Sequence, residues 1–316
     1  MNKTVYIITG PTAVGKSLIA YYLAKRIDGE IVNCDSVQLY RYMDIGSAKP
    51  GDREMSSVRH HLYSIADPDE NMTVARYKEL AFSAINDILA RGKTPIICGG
   101  TGLYLNSILY DMDFAASEAN EQRRIELEEL AEERGNDYMF NYLEALDPEA
   151  ASRIHPNNTR KIIRAIEAYE YGKGIRSLAD CPVNSDYDFK YLALNMEREW
   201  LYDRINRRVA RLISDGLVDE VSSLLERGYD LSMSSMKGIG YKEIIGFLNG
   251  EYDLIDAKEL IMKNTRHYAK RQLTWLKRYD FATWIDIQKG ETVGEIVDRI
   301  LRSDNHVPKH GKTQAE

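Results

Sequence analysis

Apolar positions run unbroken over Val5–Thr9 (VYIIT) and Thr94–Cys98 (TPIIC), and each run ends at a glycine. Short continuous apolar runs closed by Gly-rich turns are what strands buried on both faces of a parallel sheet require. Glu30–Asp35 (EIVNCD) reads as another strand, with Tyr191–Met196 (YLALNM) and Thr283–Ile287 (TWIDI) as later ones. Between them the period changes. Ser17–Arg26 has helical spacing and propensity, and Val74–Arg91 gives a helix that ends at Gly92. Strands alternating with helices predict an α/β fold, a parallel sheet flanked by helices.

From about residue 117 to 188 the character shifts. Glu118–Arg134 is a highly charged helix, followed by helices over Asp137–Leu146 and Asn158–Tyr171, with Asp147-Pro148 and His155-Pro156 as breaks. The pattern predicts an all-helical domain over 117–188, inserted into a core made of 1–116 and 189–301. Residues 197 to 278 read as helical again, with a strongly basic last helix, and the polar, aperiodic tail over 302–316 reads as disordered.

Composition narrows the classes. No apolar run approaches the ~18–20 residues of a membrane span. The N-terminal apolar run leads into a Gly/Lys loop without a cleavage-site pattern, so a fold strand is expected and not a signal peptide. Three scattered cysteines, Cys34, Cys98 and Cys181, suggest a reducing cytoplasm with no disulfide framework or zinc site. The net charge of −7 argues against gross attraction to nucleic acid but leaves room for local basic patches. No hydrophobic patch calls for an oligomer or an obligate protein partner, so a monomer is the default expectation.

The chemistry begins at GPTAVGKS. Gly10-x4-Gly15-Lys16-Ser17 fits the P-loop pattern, and it stands where that pattern belongs, after a strand and before a helix. The cradle runs over Gly10, Thr12, Ala13, Val14, Gly15, Lys16 and Ser17. Its backbone N–H groups and the helix N-terminus face phosphate oxygens, Lys16 adds a full charge, and the Ser17 hydroxyl is a ligand for Mg2+. The loop does not specify which phosphate compound it holds. A P-loop kinase wants a carboxylate at a second strand end, yet Cys98-Gly99-Gly100-Thr101 has none. Asp35, after Asn33-Cys34, is the carboxylate expected at the C-terminal edge of the sheet, as an indirect metal ligand, a general base or simply a helix cap.

Five stretches then become specific: NCDSVQLYRYMDIGSAKP (33–50), GGTGLYLNSIL (99–109), RIHPNNTRKIIRAIE (153–167), GIGYKEI (238–244) and TRHYAKRQLTWLKR (265–278). Together and in order, they resemble the tRNA dimethylallyltransferases, or tRNA isopentenyltransferases, over roughly residues 3 to 290. The resemblance implies transfer of a dimethylallyl group from its diphosphate to the exocyclic amino nitrogen of the adenine 3′ to the anticodon, with pyrophosphate leaving. A small-molecule or nucleotide kinase and an adenylate prenyltransferase are the alternatives. Asp35 matches the family's catalytic Asp and takes the role of base, Thr101 the hydroxyl on the bridging oxygen, and Arg208 the family Arg on the diphosphate, beside Lys16. Ser17 stands where many relatives carry Thr, and both supply a hydroxyl.

The resemblance also implies the RNA contacts. Asp35, Ser36, Val37 and Gln38 would read the flipped base, with Asn33 another amide suited to base edges. Arg160, Lys161, Ile162, Ile163 and Arg164 match a tRNA-contact segment in the insertion, with Arg123 beside it, and Arg271 and Gln272 lie on the basic helix. That helix carries Lys263, Arg266, Lys270, Arg271, Lys277 and Arg278 without an intervening acid, as backbone phosphate contact requires. The insertion would clamp the anticodon arm. Arg204, Arg207 and Arg211 read as a solvated helix face or as phosphate contacts. His155 and the His60-His61 pair read as structural, with Asn157 or Asn158 capping the helix after the HPN turn.

Overall fold

The computed structural model describes residues 3–112, 121–171 and 178–304. The chain forms two compact units, Met1–Leu105 with Ser185–Glu316, and Asn106–Asn184. The division differs from the expected one at 117 and 188. Asp188 is the first residue of a sheet strand and pairs with Thr4. At the other end, the compact unit begins inside a helix, Gly102–Leu109, about ten residues before the charged composition begins. Charge density marks where side chains turn polar, and the chain path turns earlier.

The first unit is built on one sheet of six strands among the described residues: β1 (Thr4–Thr9), β2 (Gly29–Cys34), β3 (His60–His61), β4 (Thr94–Gly99), β5 (Asp188–Met196) and β6 (Thr283–Ile287). Their order is β3-β2-β4-β1-β5-β6, and every pairing is parallel. The central strands are buried almost end to end, which explains their continuous apolar runs. Tyr6 and Ile8 of β1 enter a core with Ile19, Leu23, Ile296 and Ile300. These come from α1 (Lys16–Ile27) and α12 (Val293–Asp304). α3 (Val74–Ala90) buries Tyr77, Ala81, Ile85 and Ile88 at helical spacing and lies against β2 and β4.

Two short elements and the final helix lie outside the sequence expectation. β3 and α2 (Asp52–Ser57) fall in a stretch that carries no strong period. β3 is held from the side: His61 Nε2 meets Glu30 Oε2 at 2.7 Å, and Arg91 grips both oxygens of that buried carboxylate. α12 extends to Asp304, so the polar tail begins three residues later than expected, and 305–316 lie outside the described residues. A capping box signals its start: Glu295 Oε2 accepts from Thr292 N–H at 2.8 Å, while Thr292 Oγ1 accepts from Glu295 N–H. Further α-helices among the described residues are α4 (Gly102–Leu109), α8 (Arg198–Ser214), α9 (Leu217–Glu226), α10 (Tyr241–Leu248) and α11 (Leu254–Leu276). The basic helix that closes the 197–278 stretch is α11.

The second unit packs α5 (Glu121–Leu146), α6 (Pro148–Arg153) and α7 (Thr159–Glu170) around Leu127, Met139, Leu143, Ile162 and Ile166. Gly135, at φ 79°, breaks α5 where the sequence divides it into two helices, and residues 118–120 of the first lie outside the described residues. Asp147 caps α6 through the Ala150 N–H, and Asn158 caps α7 through the Lys161 N–H. His155 Nδ1 accepts from the Asn157 N–H, a turn contact, as its structural reading expects.

Candidate active site

Parallel strands place their C-terminal ends on one edge, and the loops there form the site. The phosphate loop follows β1. Gly10 sits at φ 147°, and a Cβ there would lie 2.6 Å from Leu194 O, so only glycine lets β5 approach this closely. Gly15, at φ 109°, precedes α1 without a side-chain cap, which leaves the first-turn N–H groups directed at the loop mouth. Lys16 Nζ donates to Gly10 O at 3.1 Å and Pro11 O at 2.9 Å. Burial lowers its pKa to about 8, against the opposing pull of Asp35. The ammonium is thus a charge held in a poorly solvated place, where an arriving anion gains most.

The turn after β2 carries Asp35. Buried Asn33 shapes it: its Oδ1 accepts from the Asp35 N–H at 3.0 Å, and its Nδ2 donates to Leu62 O at 2.9 Å and Asp35 O at 3.2 Å. The Asn33 amide is therefore a brace for the turn and does not face a base edge. Asp35 Oδ1 accepts from the Val37 N–H at 2.9 Å and, more weakly, the Gln38 N–H at 3.4 Å. No helix directly follows Asp35, so the helix-cap reading is corrected: the carboxylate caps a turn, which occupies one of its oxygens. Gln38 is buried, and its Nε2 donates to Ser47 O at 3.0 Å and Ala48 O at 3.2 Å, so its amide nitrogen anchors the 44–48 loop while the residue lines the same cavity as Asp35.

The turn after β4 comes alongside. The Thr101 N–H donates to Cys34 O at 3.2 Å, and Thr101 Oγ1 accepts from the Ser36 N–H at 3.0 Å. Tyr268 of α11 lines the same cavity, and burial pushes up the ionisation of its phenol. Arg208 of α8 is half-buried with Nη2 3.5 Å from Ser47 O; burial lowers its pKa, Asp35 raises it and Arg204 lowers it. One cavity of about 590 Å3 is lined by Lys16, Ser17, Asp35, Arg208 and Tyr268, among others. Burial pushes the Cys34 and Cys98 thiols up to about 12, so they stay protonated and are not nucleophiles.

Arg204 departs from the solvated-face reading. Its Nε donates to Ala13 O at 2.9 Å, which fixes α8 to the phosphate loop. Arg207 and Arg211 are exposed and pair along their own helix with Asp203 and Asp215. Gln272 also departs from its expectation: it is buried and engaged with backbone on both ends of its amide. In α7, Arg160, Lys161 and Arg164 are exposed, whereas Ile162 and Ile163 are core residues whose side chains cannot reach RNA. Arg123 is gripped by Glu170 and Glu126. On α11, Lys263, Lys270 and Arg271 are exposed, as are Lys277 and Arg278 just beyond it, while Arg266 donates to Asn206 Oδ1 at 2.7 Å. Trp275 lies against Gly102 and donates to Tyr279 OH at 3.0 Å, so it is packed in place instead of presenting a stacking face. Long-range partners such as Ala13 and Gly100 leave no local signal, which is why the roles of Arg204 and Gln272 were not legible.

The same architecture occurs in known proteins. A family model described as IPP transferase matches residues 38–279. A tRNA dimethylallyltransferase of Alkaliphilus oremlandii is 48% identical over 96% of this chain and 97% of its own. The solved tRNA isopentenylpyrophosphate transferase of Bacillus halodurans is 38% identical, with a TM-score of 0.69 over 97% of this chain and all of its own. A eukaryotic dimethylallyltransferase solved acting on tRNA is 29% identical, with a TM-score of 0.78 over 90% of this chain and 74% of its own. The family model takes in Gln38, Thr101 and Arg208, and the relatives match nearly the whole length of the chain, so the chain belongs to the IPP transferase family.

Proposed function

We propose that this enzyme transfers a dimethylallyl group from dimethylallyl diphosphate to the exocyclic amino nitrogen of the adenine 3′ to the anticodon of tRNA. The observation that carries the reading is the meeting of a carboxylate, an ammonium and a guanidinium, Asp35, Lys16 and Arg208, in one cavity, with Thr101 on the turn beside Asp35. The allylic C–O bond breaks and the bond from that carbon to nitrogen forms. The proton lost by the nitrogen goes to Asp35, through the oxygen that does not cap the turn. The electron pair of the C–O bond leaves with the diphosphate, whose growing charge meets Lys16, Arg208 and the N–H groups of the loop. Thr101 donates to the bridging oxygen.

The donors beside the loop suit a hard cation. Ser17 offers a hydroxyl at the start of α1, and its neighbour Cys98 stays a protonated thiol. A Mg2+ held there would complete its shell from diphosphate oxygens and water and would offset charge on the leaving group. The exposed cations of α11 are suited to RNA phosphates, and those of α7 offer a second basic face. Among the described residues no helix is long and apolar enough to cross a membrane.

The test is direct. The protein is incubated with Mg2+, labelled dimethylallyl diphosphate and an unmodified anticodon stem-loop carrying the target adenine. Label on the RNA is expected. Label on free AMP, or rapid ATP turnover with none on RNA, would overturn the reading in favour of an adenylate prenyltransferase or a P-loop kinase.

A further inference from the structure

One face of α11 is turned inward onto the catalytic loops. Tyr268, Gln272 and Trp275 lie at i, i+4 and i+7, on one side of the helix. Tyr268 lines the cavity that holds Asp35 and Lys16, and Trp275 sits where a Cβ on Gly102 would come within 2.5 Å of its Nε1. Between them, Gln272 joins two loops that are far apart in sequence. Its Oε1 accepts from the Thr12 N–H at 2.8 Å, and its Nε2 donates to Gly100 O at 3.0 Å. The residue is only 7% exposed, so neither contact is exchanged readily for water. The fit is close: a Cβ on Gly100 would stand 2.3 Å from Nε2.

We propose that Gln272 is a positioning residue whose amide locks the phosphate loop to the Gly100–Gly102 turn, holding the diphosphate cradle and the Thr101 hydroxyl in register. The proposal rests on the prenyl-transfer reading of the site. Thr12 belongs to the loop that holds the phosphates, and Gly100 immediately precedes the hydroxyl aimed at the breaking bond. β1 and β4 are direct neighbours, so the sheet fixes the bases of both loops. Their tips extend past the last strand pair, and there the Gln272 amide joins them. An amide suits the task because one loop presents a donor and the other an acceptor. A carboxylate satisfies only the first, and a thioether satisfies neither.

The experiment uses the full chain in the stem-loop transfer assay, with wild type as the reference. Gln272→Met keeps the volume and removes both hydrogen bonds. The expected result is a fall in kcat on the order of 10-fold to 100-fold, as for a small misplacement of reacting groups. The Kd for stem-loop RNA, measured by filter binding, stays within about 2-fold. Gln272→Glu keeps the Thr12 contact and should also lower kcat, which provides a second reading if the Met variant melts early. The decisive measurement is a double-mutant cycle with Thr101→Ala. If Gln272 acts through the register of Thr101, Gln272→Met costs less than about 3-fold in the Thr101→Ala background. Additive losses would reduce Gln272 to a general support of the fold and overturn the proposal. Weakened RNA binding with kcat intact would overturn it too, by making Gln272 an RNA contact. Wild type that transfers no label would sink the prenyl-transfer reading itself, a separate outcome.

Discussion

Lys16 should make the fold less stable than it would be without it. Lys16 is half-buried beside the phosphate loop, and desolvation there lowers its pKa from 10.5 to about 8. A difference of that size, at about 1.4 kcal/mol per unit, corresponds to about 3 kcal/mol of disfavoured charge in the folded state. The sign follows from proton counting. Between pH 8 and 10.5 the unfolded chain binds the proton and the folded chain does not, so wild-type stability rises with pH across that window. At neutral pH the whole cost is present. Lys16→Met removes the charge and keeps most of the apolar stem. The variant should melt higher at pH 7 by on the order of 5 °C, and the gap should close as pH approaches 10.5. The same variant should lose transfer activity and most of the stabilisation that inorganic pyrophosphate gives the wild type. Calorimetry at pH 7 and 10 with the variant pair, with and without pyrophosphate, measures the stability effects, and the labelled stem-loop assay measures the transfer. An unchanged or lower Tm for Lys16→Met at pH 7 would refute the idea that this charge is held against solvation to meet a phosphate.

The remaining predictions follow from the same geometry. Asp35→Asn keeps the cap on Val37 and removes the base, so kcat should fall by roughly 10²–10⁴-fold with RNA affinity retained; near-normal turnover would remove Asp35 from the proton transfer. Arg91→Ala leaves Glu30 buried with His61 as its remaining partner, and stability should fall by about 3 kcal/mol in urea titrations. Arg91 holds the Glu30 carboxyl down to about 2, so its contribution is full above pH 4.5 and is lost as pH falls toward 2. The stability gap between wild type and Arg91→Ala should narrow in that acid range. Arg271→Ala should weaken stem-loop binding evenly across sequences and reduce the slope of log affinity against log salt by about 1, read by filter binding at several salt concentrations.

The elements with strong periods were legible. Continuous apolar runs before glycines specify β1 and β4 within a residue or two, because a strand covered on both faces has few polar positions to alternate with, and β2 lies within a residue of the EIVNCD stretch. β3 was not legible, since two histidines become a strand only when β2 offers an edge and Glu30 with Arg91 fixes them there. α12 had a readable cap in Thr292–Glu295, and a wider use of capping patterns would have found it. For the site, residue type and local context marked Gly10, Lys16 and Asp35, while the resemblance supplied Thr101 and Arg208. Polarity misled at Asn33, Gln38 and Gln272. Amides suit base edges and backbone alike, and only burial with defined partners tells the two uses apart.

The sequence by itself determined the chemical inventory: a phosphate loop in its strand–helix context, a carboxylate at the next strand end, and a basic stripe on an acidic chain. These are local properties, written in adjacent residues through backbone sterics and period. The tertiary structure decided which of those groups share a cavity, which amides brace loops, and which arginine reaches the phosphate loop from 191 positions away. Contacts of that kind depend on strand order. β4 and β5 flank β1, and no local pattern encodes which strands become neighbours.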